Sequence, residues 1–161
     1  VSKFSKLIQK QKEAKQTKKD HFNLEAKTNA NRDVVLCACG SQKSYKVCCG
    51  VFHKDILKVQ SPLELMKSRY TAYVLADIDY LLKSHHSSTR PTKEADEISA
   101  WTKAVTWLGL EIIKAEAPTT NEGFVTFMAH FLENGTKNTI HETSRFIKEN
   151  NHWTYIDGVH S

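Results

Sequence analysis

The sequence predicts an α+β fold in which helices pack on a curved antiparallel sheet, preceded by a small metal-binding knuckle. Three observations carry that expectation. All four cysteines of the 161-residue chain fall within thirteen positions, from Cys37 to Cys49. Apolar residues at helical spacing occupy 61–104, and β-branched or alternating residues occupy 105–157; helices first and antiparallel strands after is the order of an α+β domain. Between two alternating runs stands Asn134-Gly135, a favoured two-residue hairpin turn.

Composition sets limits before any element is placed. Hydrophobic residues make up 40% of the chain, with three Trp, five Tyr and seven Phe, enough for one real core. No run approaches the roughly 18–20 apolar residues of a membrane span. No apolar stretch follows the N-terminal lysines, so no secretory leader is expected. The net charge of +5 is local: residues 1–33 carry nine Lys/Arg against four Asp/Glu, whereas residues 34–161 carry fourteen of each. A neutral globular part argues against a basic nucleic-acid groove on the domain itself.

Residues 1–33 read as a basic, polar N-terminal extension. Phe4, Leu7 and Ile8 form one apolar patch at helical spacing, but the residues that follow offer no continuous face to bury. The expectation is a solvated or loosely docked segment. Its sharper reading is an electrostatic arm for nucleic acid, the ribosome or an acidic protein.

Residues 34–54 are the knuckle. Four thiols in a short Gly/Ser/Lys-rich loop point to a metal, because no local apolar core accounts for them. A Cys48–Cys49 bridge would need a strained ring, and a redox pair would more typically read Cys-x-x-Cys. The spacing suits a loop in which Gly40 turns the chain, Ser41 caps a helical turn over 42–47, and Gly50 ends it. Four thiolates on a divalent ion leave a −2 centre, and Lys43, Lys46 and Lys54 are the charged residues placed to offset it. Zinc is the expected ion, with iron possible for the same tetrahedral sulfur set. Clustered cysteines at ligand spacing also fit a reducing compartment, and hence the cytoplasm.

The second unit spans 61–158. Ser61-Pro62-Leu63-Glu64 is a strong helix start, with Ser at N-cap, Pro at N1 and Glu reaching back as a capping box. A second helix begins at Asp77, burying Ile78, Leu81 and Leu82. A third covers 93–104, with Ile98, Trp101 and Ala104 inward. Strands follow at 105–116, 124–132, 136–147 and 152–157, the last turned back at Asn150-Asn151. The Asn-Gly turn sets the hairpin register, placing Glu142 opposite Phe127. One face then reads Val125, Phe127, Ala129, Phe131, Ile140, Glu142, Phe146 and Tyr155. A carboxylate in an apolar stripe is paired with a helix cation such as Arg69, stands as an edge residue at the rim, or serves as an acid or base in a pocket. His130, His141 and Arg145 fall on the opposite, solvated face. The His85-His86 doublet alone is weak evidence for a second metal.

The cysteine stretch, Cys-x-Cys-Gly-Ser-x-Lys-x-Tyr-Lys-x-Cys-Cys-Gly, resembles the SEC-C motif, the metal-binding segment at the C-terminus of the protein-translocation ATPase SecA. Ala38 stands where the motif often has proline. Together with 49–53, 62–74, 77–81, 107–110, Arg145-Phe146 and Trp153–Gly158, the chain resembles the YchJ proteins over residues 37–158. That resemblance implies a cystatin-like, nuclear-transport-factor-2-like cone. It implies Cys37, Cys39, Cys48 and Cys49 as ligands, with His53 outside the coordination shell. By analogy with SecA it implies a metal-binding protein-interaction module, chaperone- or ribosome-linked, whose protein partner is unidentified. No Gly-rich phosphate loop, Ser/His/Asp order or paired-carboxylate motif appears, so no catalytic residue is assigned and the chain reads as a non-enzyme. The alternative is a small-ligand-binding or enzymatic cone pocket that uses Glu142. A filled cone favours the first reading, and a pocket with Glu142 buried at its base favours the second.

Overall fold

The computed structural model describes residues 35–161; the expectations for the basic extension at 1–33 lie outside the described residues. Leu36 bridges Ser44 to open a tight loop, which leads into a single 3-10 turn at Tyr45–Val47 and helix α1, Cys49–Lys54. This departs from the expected loop. Gln42 takes the left-handed conformation, so Ser41 caps no helix and its hydroxyl accepts from the Lys43 amide instead. Gly50 lies inside α1 rather than ending a turn. It is glycine because a Cβ there would sit 2.7 Å from the Tyr45 carbonyl oxygen and 3.0 Å from its ring.

Helix α2, Pro62–Leu75, starts as the sequence predicts, with Ser61 Oγ accepting from the Glu64 amide. The capping box is displaced by one residue: the Glu64 carboxylate takes the Gln60 amide at 2.7 Å, not that of Ser61. Ala76 turns the chain in the left-handed region and Asp77 caps α3, Ile78–Lys83. The buried residues of α3 are Tyr80 and Leu81; Ile78 and Leu82 are only half-buried. Helix α4, Ala95–Ala104, buries Ile98, Trp101 and Thr102 and leaves Ala104 exposed. Thr102 turns inward because its hydroxyl donates to the Tyr73 carbonyl at 2.6 Å.

Four strands follow, β1 Thr106–Glu116, β2 Glu122–Glu133, β3 Thr136–Glu149 and β4 His152–His160, forming one antiparallel meander in sequence order. Asn134 and Gly135 both have positive φ, as a type I′ turn requires, and Phe127 faces Glu142 as the register predicts. Asn150 and Asn151 make a second turn with both φ values positive. Register shifts at Trp107/Gly109 and Ile112/Lys114 in β1 bend the sheet. The helices pack on one side of it, and the core lies between. Phe131 and Trp101 stack edge-to-face at 5.5 Å, Trp101 and Trp107 likewise, and Leu65, Val125 and Phe146 are fully buried. The segment after α3 runs beside β4, His86 N–H donating to the Tyr155 carbonyl and Tyr155 N–H to that of Ser84. It covers that sheet edge. No helix among the described residues is long and apolar enough to cross a membrane.

Candidate metal centre and cone pocket

The loop, the 3-10 turn and α1 bring the four cysteines together. Their Sγ atoms all lie within 4.8 Å of one another, and none is in a disulfide. A tetrahedral ion with metal–sulfur bonds of ~2.3 Å sets its sulfurs ~3.8 Å apart, and the Cys39–Cys48 separation is 3.6 Å. The arrangement could hold a metal ion. Cys37, Cys39 and Cys49 are buried and Cys48 half-buried. Among the thiols, the bond with Cys49 draws the Cys39 thiol down to about 4. Cys49 is pushed up by that same bond and by burial. One member of the set is thus readily a thiolate, the form that ligates.

Two residues tie this cluster to the cone. Thr71 on α2 donates its hydroxyl to Cys49 Sγ at 3.3 Å and lies 3.7 Å from Cys37 Sγ. His53 on α1 bridges Tyr45 Oη, 2.9 Å from Nδ1, and the Ser68 carbonyl, 2.8 Å from Nε2. A carbonyl only accepts, so Nε2 donates to Ser68, and in the neutral ring Nδ1 accepts from the Tyr45 hydroxyl. His53 is therefore a strut between knuckle and helix, with both ring nitrogens engaged. Nothing in the sequence spacing pointed to Thr71.

The cone is not filled. A cavity of about 540 Å³ lies between α2, the sheet and the segment after α3, with Arg69, Tyr73, His85, Glu142 and Tyr155 in its wall. Glu142 is 3% exposed. Its Oε1 accepts from Ser144 Oγ at 2.8 Å and from Tyr155 Oη at 3.2 Å, while Oε2 lies 3.1 Å from His160 Nε2. The expected Glu142–Arg69 bridge does not form. Arg69 Nη1 instead donates to the Leu81 carbonyl and Ser84 hydroxyl, and its guanidinium sits 4.9 Å over the Tyr155 ring. Tyr155 separates the two charges. Burial is the main cause that raises the Tyr155 hydroxyl, with the Glu142 charge adding to it. Burial, then Arg69 and Arg90, push His85 down to about 3.

His160 escaped the sequence reading because the last strand was expected to end at 157, whereas β4 runs to His160, and because of its register. A bulge between Arg145 and Phe146 shifts the β3–β4 register, so that Glu142 pairs with His160. Unshifted pairing, continued from Phe146↔Tyr155, would put His160 on the other face. Gly158 lies beneath the Glu142 carboxylate, and a Cβ there would collide with it. On the opposite face His130 meets Thr139 and lies 3.8 Å from the Glu111 carboxylate, and Arg145 pairs with Asp157, in keeping with a solvated surface. His85 and His86 do not converge on a metal: His85 contacts Thr89, and His86 contacts Ser88 and Glu149.

Known proteins match both units. The family model for the middle, nuclear-transport-factor-2-like domain of YchJ matches residues 61–158. A UPF0225 protein of Vibrio parahaemolyticus is 42% identical over 124 residues, 76% of this chain and 74% of that protein. One from Bordetella pertussis is 40% identical over the same share of this chain and 90% of its own. The solution structure of a SEC-C motif containing protein from Rhodopseudomonas palustris is 32% identical, with a TM-score of 0.68 over 77% of this chain and 97% of that one. A SEC-C motif containing protein from Psychrobacter arcticus has the same fold, at TM-score 0.66 over 78% of this chain and 82% of its own, with 23% identity.

Proposed function

The chain belongs to the YchJ family, and on that premise we propose that it is a small-ligand-binding protein whose pocket lies in the cone and whose zinc knuckle is structural. One observation carries the reading: Glu142, 3% exposed, stands in the wall of a cavity of about 540 Å³, the size range of small-molecule sites. Cys37, Cys39, Cys48 and Cys49 would hold the ion. Four thiolates close a zinc shell and leave no position for substrate, so the metal's contribution is to fold the loop onto α2. Unbridged cysteines favour a reducing compartment such as the cytoplasm. The pocket supplies donors, an acceptor and apolar walls, and no nucleophile–base pair is assigned. A backbone-resolved NMR screen with small-molecule mixtures tests the reading. Perturbations are expected around Tyr73, His85 and Tyr155; perturbations confined to the knuckle would contradict it.

A second reading keeps the protein-interaction role. Val35, Leu36 and Val47 are exposed beside the Leu36–Ser44 bridge, with Lys43 and Lys46 in the same loop, a mixed apolar and basic face for a protein partner, chaperone- or ribosome-linked by analogy. Its test is a pull-down in which Lys43→Glu/Lys46→Glu loses a partner that the wild type retains. Equal capture by both would remove this reading.

A further inference from the structure

Resting on the pocket reading, we infer that the cone takes a small organic carboxylate with an apolar or aromatic body, its carboxylate against Arg69 and Arg90 and its far end towards Glu142. Arg69 is 6% exposed, yet its hydrogen bonds at Nη1 go to a neutral carbonyl and a neutral hydroxyl. Among the described residues no carboxylate lies within ion-pair distance of it. A buried guanidinium is ordinarily paired, because removing it from water is costly without a counter-charge. Of the three carboxylates in the lining, Glu94 and Asp157 are exposed, Asp157 being paired with Arg145. Only Glu142 is buried, and it is already engaged, with Ser144 and Tyr155 on Oε1 and His160 on Oε2.

Arg90 adds a second cation to the same wall, held by two bonds to the His85 carbonyl. His85 between them stays neutral and adds no third charge. Two guanidiniums with a neutral imidazole suit a single planar carboxylate, which arginine recognises better than any other cation does. The space beyond is walled by Met66, Tyr70, Tyr73, Ile98 and Phe127, so the body of the ligand is apolar. At the far end the Glu142 carboxylate only accepts hydrogen bonds. It therefore favours a hydroxyl or amine hydrogen on the ligand and disfavours a second acid.

Three isosteric probes separate the possibilities in NMR titrations of the intact, metal-loaded protein: 4-hydroxybenzoate, 4-hydroxybenzamide and 4-hydroxybenzylamine. The benzoate is expected to perturb Tyr73, His85 and Tyr155 and to bind about ten-fold more tightly than the amide, the worth of one charge-assisted contact. Arg69→Gln should remove that preference. Arg90→Gln, on the outer wall and away from the core contacts of Arg69, should weaken the benzoate but not the amide, and serves if Arg69→Gln does not fold. An amine or amide that binds as well as the benzoate at these residues would overturn the carboxylate assignment and leave the pocket reading standing. So would benzoate affinity unchanged in the arginine variants. If none of the three perturbs the cone, both fail.

Discussion

In the knuckle, four sulfurs turn on one another and on the Thr71 hydroxyl; in the cone, Arg69, Glu142 and Tyr155 turn towards a cavity of about 540 Å³. The difference lies in what each unit has to fold with. Between residues 35 and 54 the buried side chains are cysteines, while Val35, Leu36 and Val47 stay exposed, so a metal on the sulfurs would be the strongest local tie. The cone has aromatic layers around Trp101, Trp107 and Phe131. Its polar residues Arg69, Glu142 and Tyr155 line the cavity beside those layers. The struts between the units, His53 to Ser68 and Thr71 to Cys49, join the cysteine cluster to α2.

The largest expected effect is on the knuckle. Cys49→Ser should abolish metal retention and unfold residues 35–58, since bound zinc supplies ~10–16 kcal/mol to small thiolate sites. Elemental analysis should fall from one ion per chain to none. Hydrogen exchange should accelerate in the loop while β2 and β3 stay protected; loss of protection in the strands would break the division between the units. Phe131→Ala is the counterpart, costing ~3–5 kcal/mol of cone stability with metal content unchanged in the folded protein. Thermal melts followed with metal analysis check it.

Next comes His53→Ala, which leaves the buried Ser68 carbonyl without its side-chain donor and should cost ~1–3 kcal/mol. Metal stays bound, but exchange in α1 should quicken, which would show how tightly the units are coupled. The smallest effect is on pH dependence. His85, pushed down to about 3 when folded from an unfolded value of 6.5, binds its proton only on unfolding between those values. Stability is therefore full above pH 6.5 and falls as the pH drops towards 3, by about 1 kcal/mol between neutrality and pH 5.5. His85→Gln should flatten that part of the acid profile in urea titrations, and an unchanged profile would show that His85 is not buried as described.

How much could be read beforehand differs between the units in the same way. The Asn-Gly turn fixes a two-residue connection, so strand register, and with it Glu142 on the apolar face, follows from local chemistry. The α2 start was legible because Ser61, Pro62 and Glu64 act within one turn. Contacts that depend on a bulge or on distant packing were not. His160 meets Glu142 only because the β3–β4 register slips at Phe146. Arg69 turns to Leu81 and Ser84 because α3 ends beside it. In the knuckle the convergence of the four cysteines was legible from their clustering, yet the path was misread: Gly50 looks like a helix end, and only the nearby Tyr45 explains it inside α1.

Whether the metal holds shape, leaving ligand binding to the cone, is tested most directly by the metal's X-ray absorption spectrum in untagged protein. A zinc edge with four sulfur neighbours at ~2.3 Å and no lighter scatterer is the predicted result. A nitrogen or oxygen in the first coordination shell at ~2.0 Å would mean an open position on the ion and would contradict it.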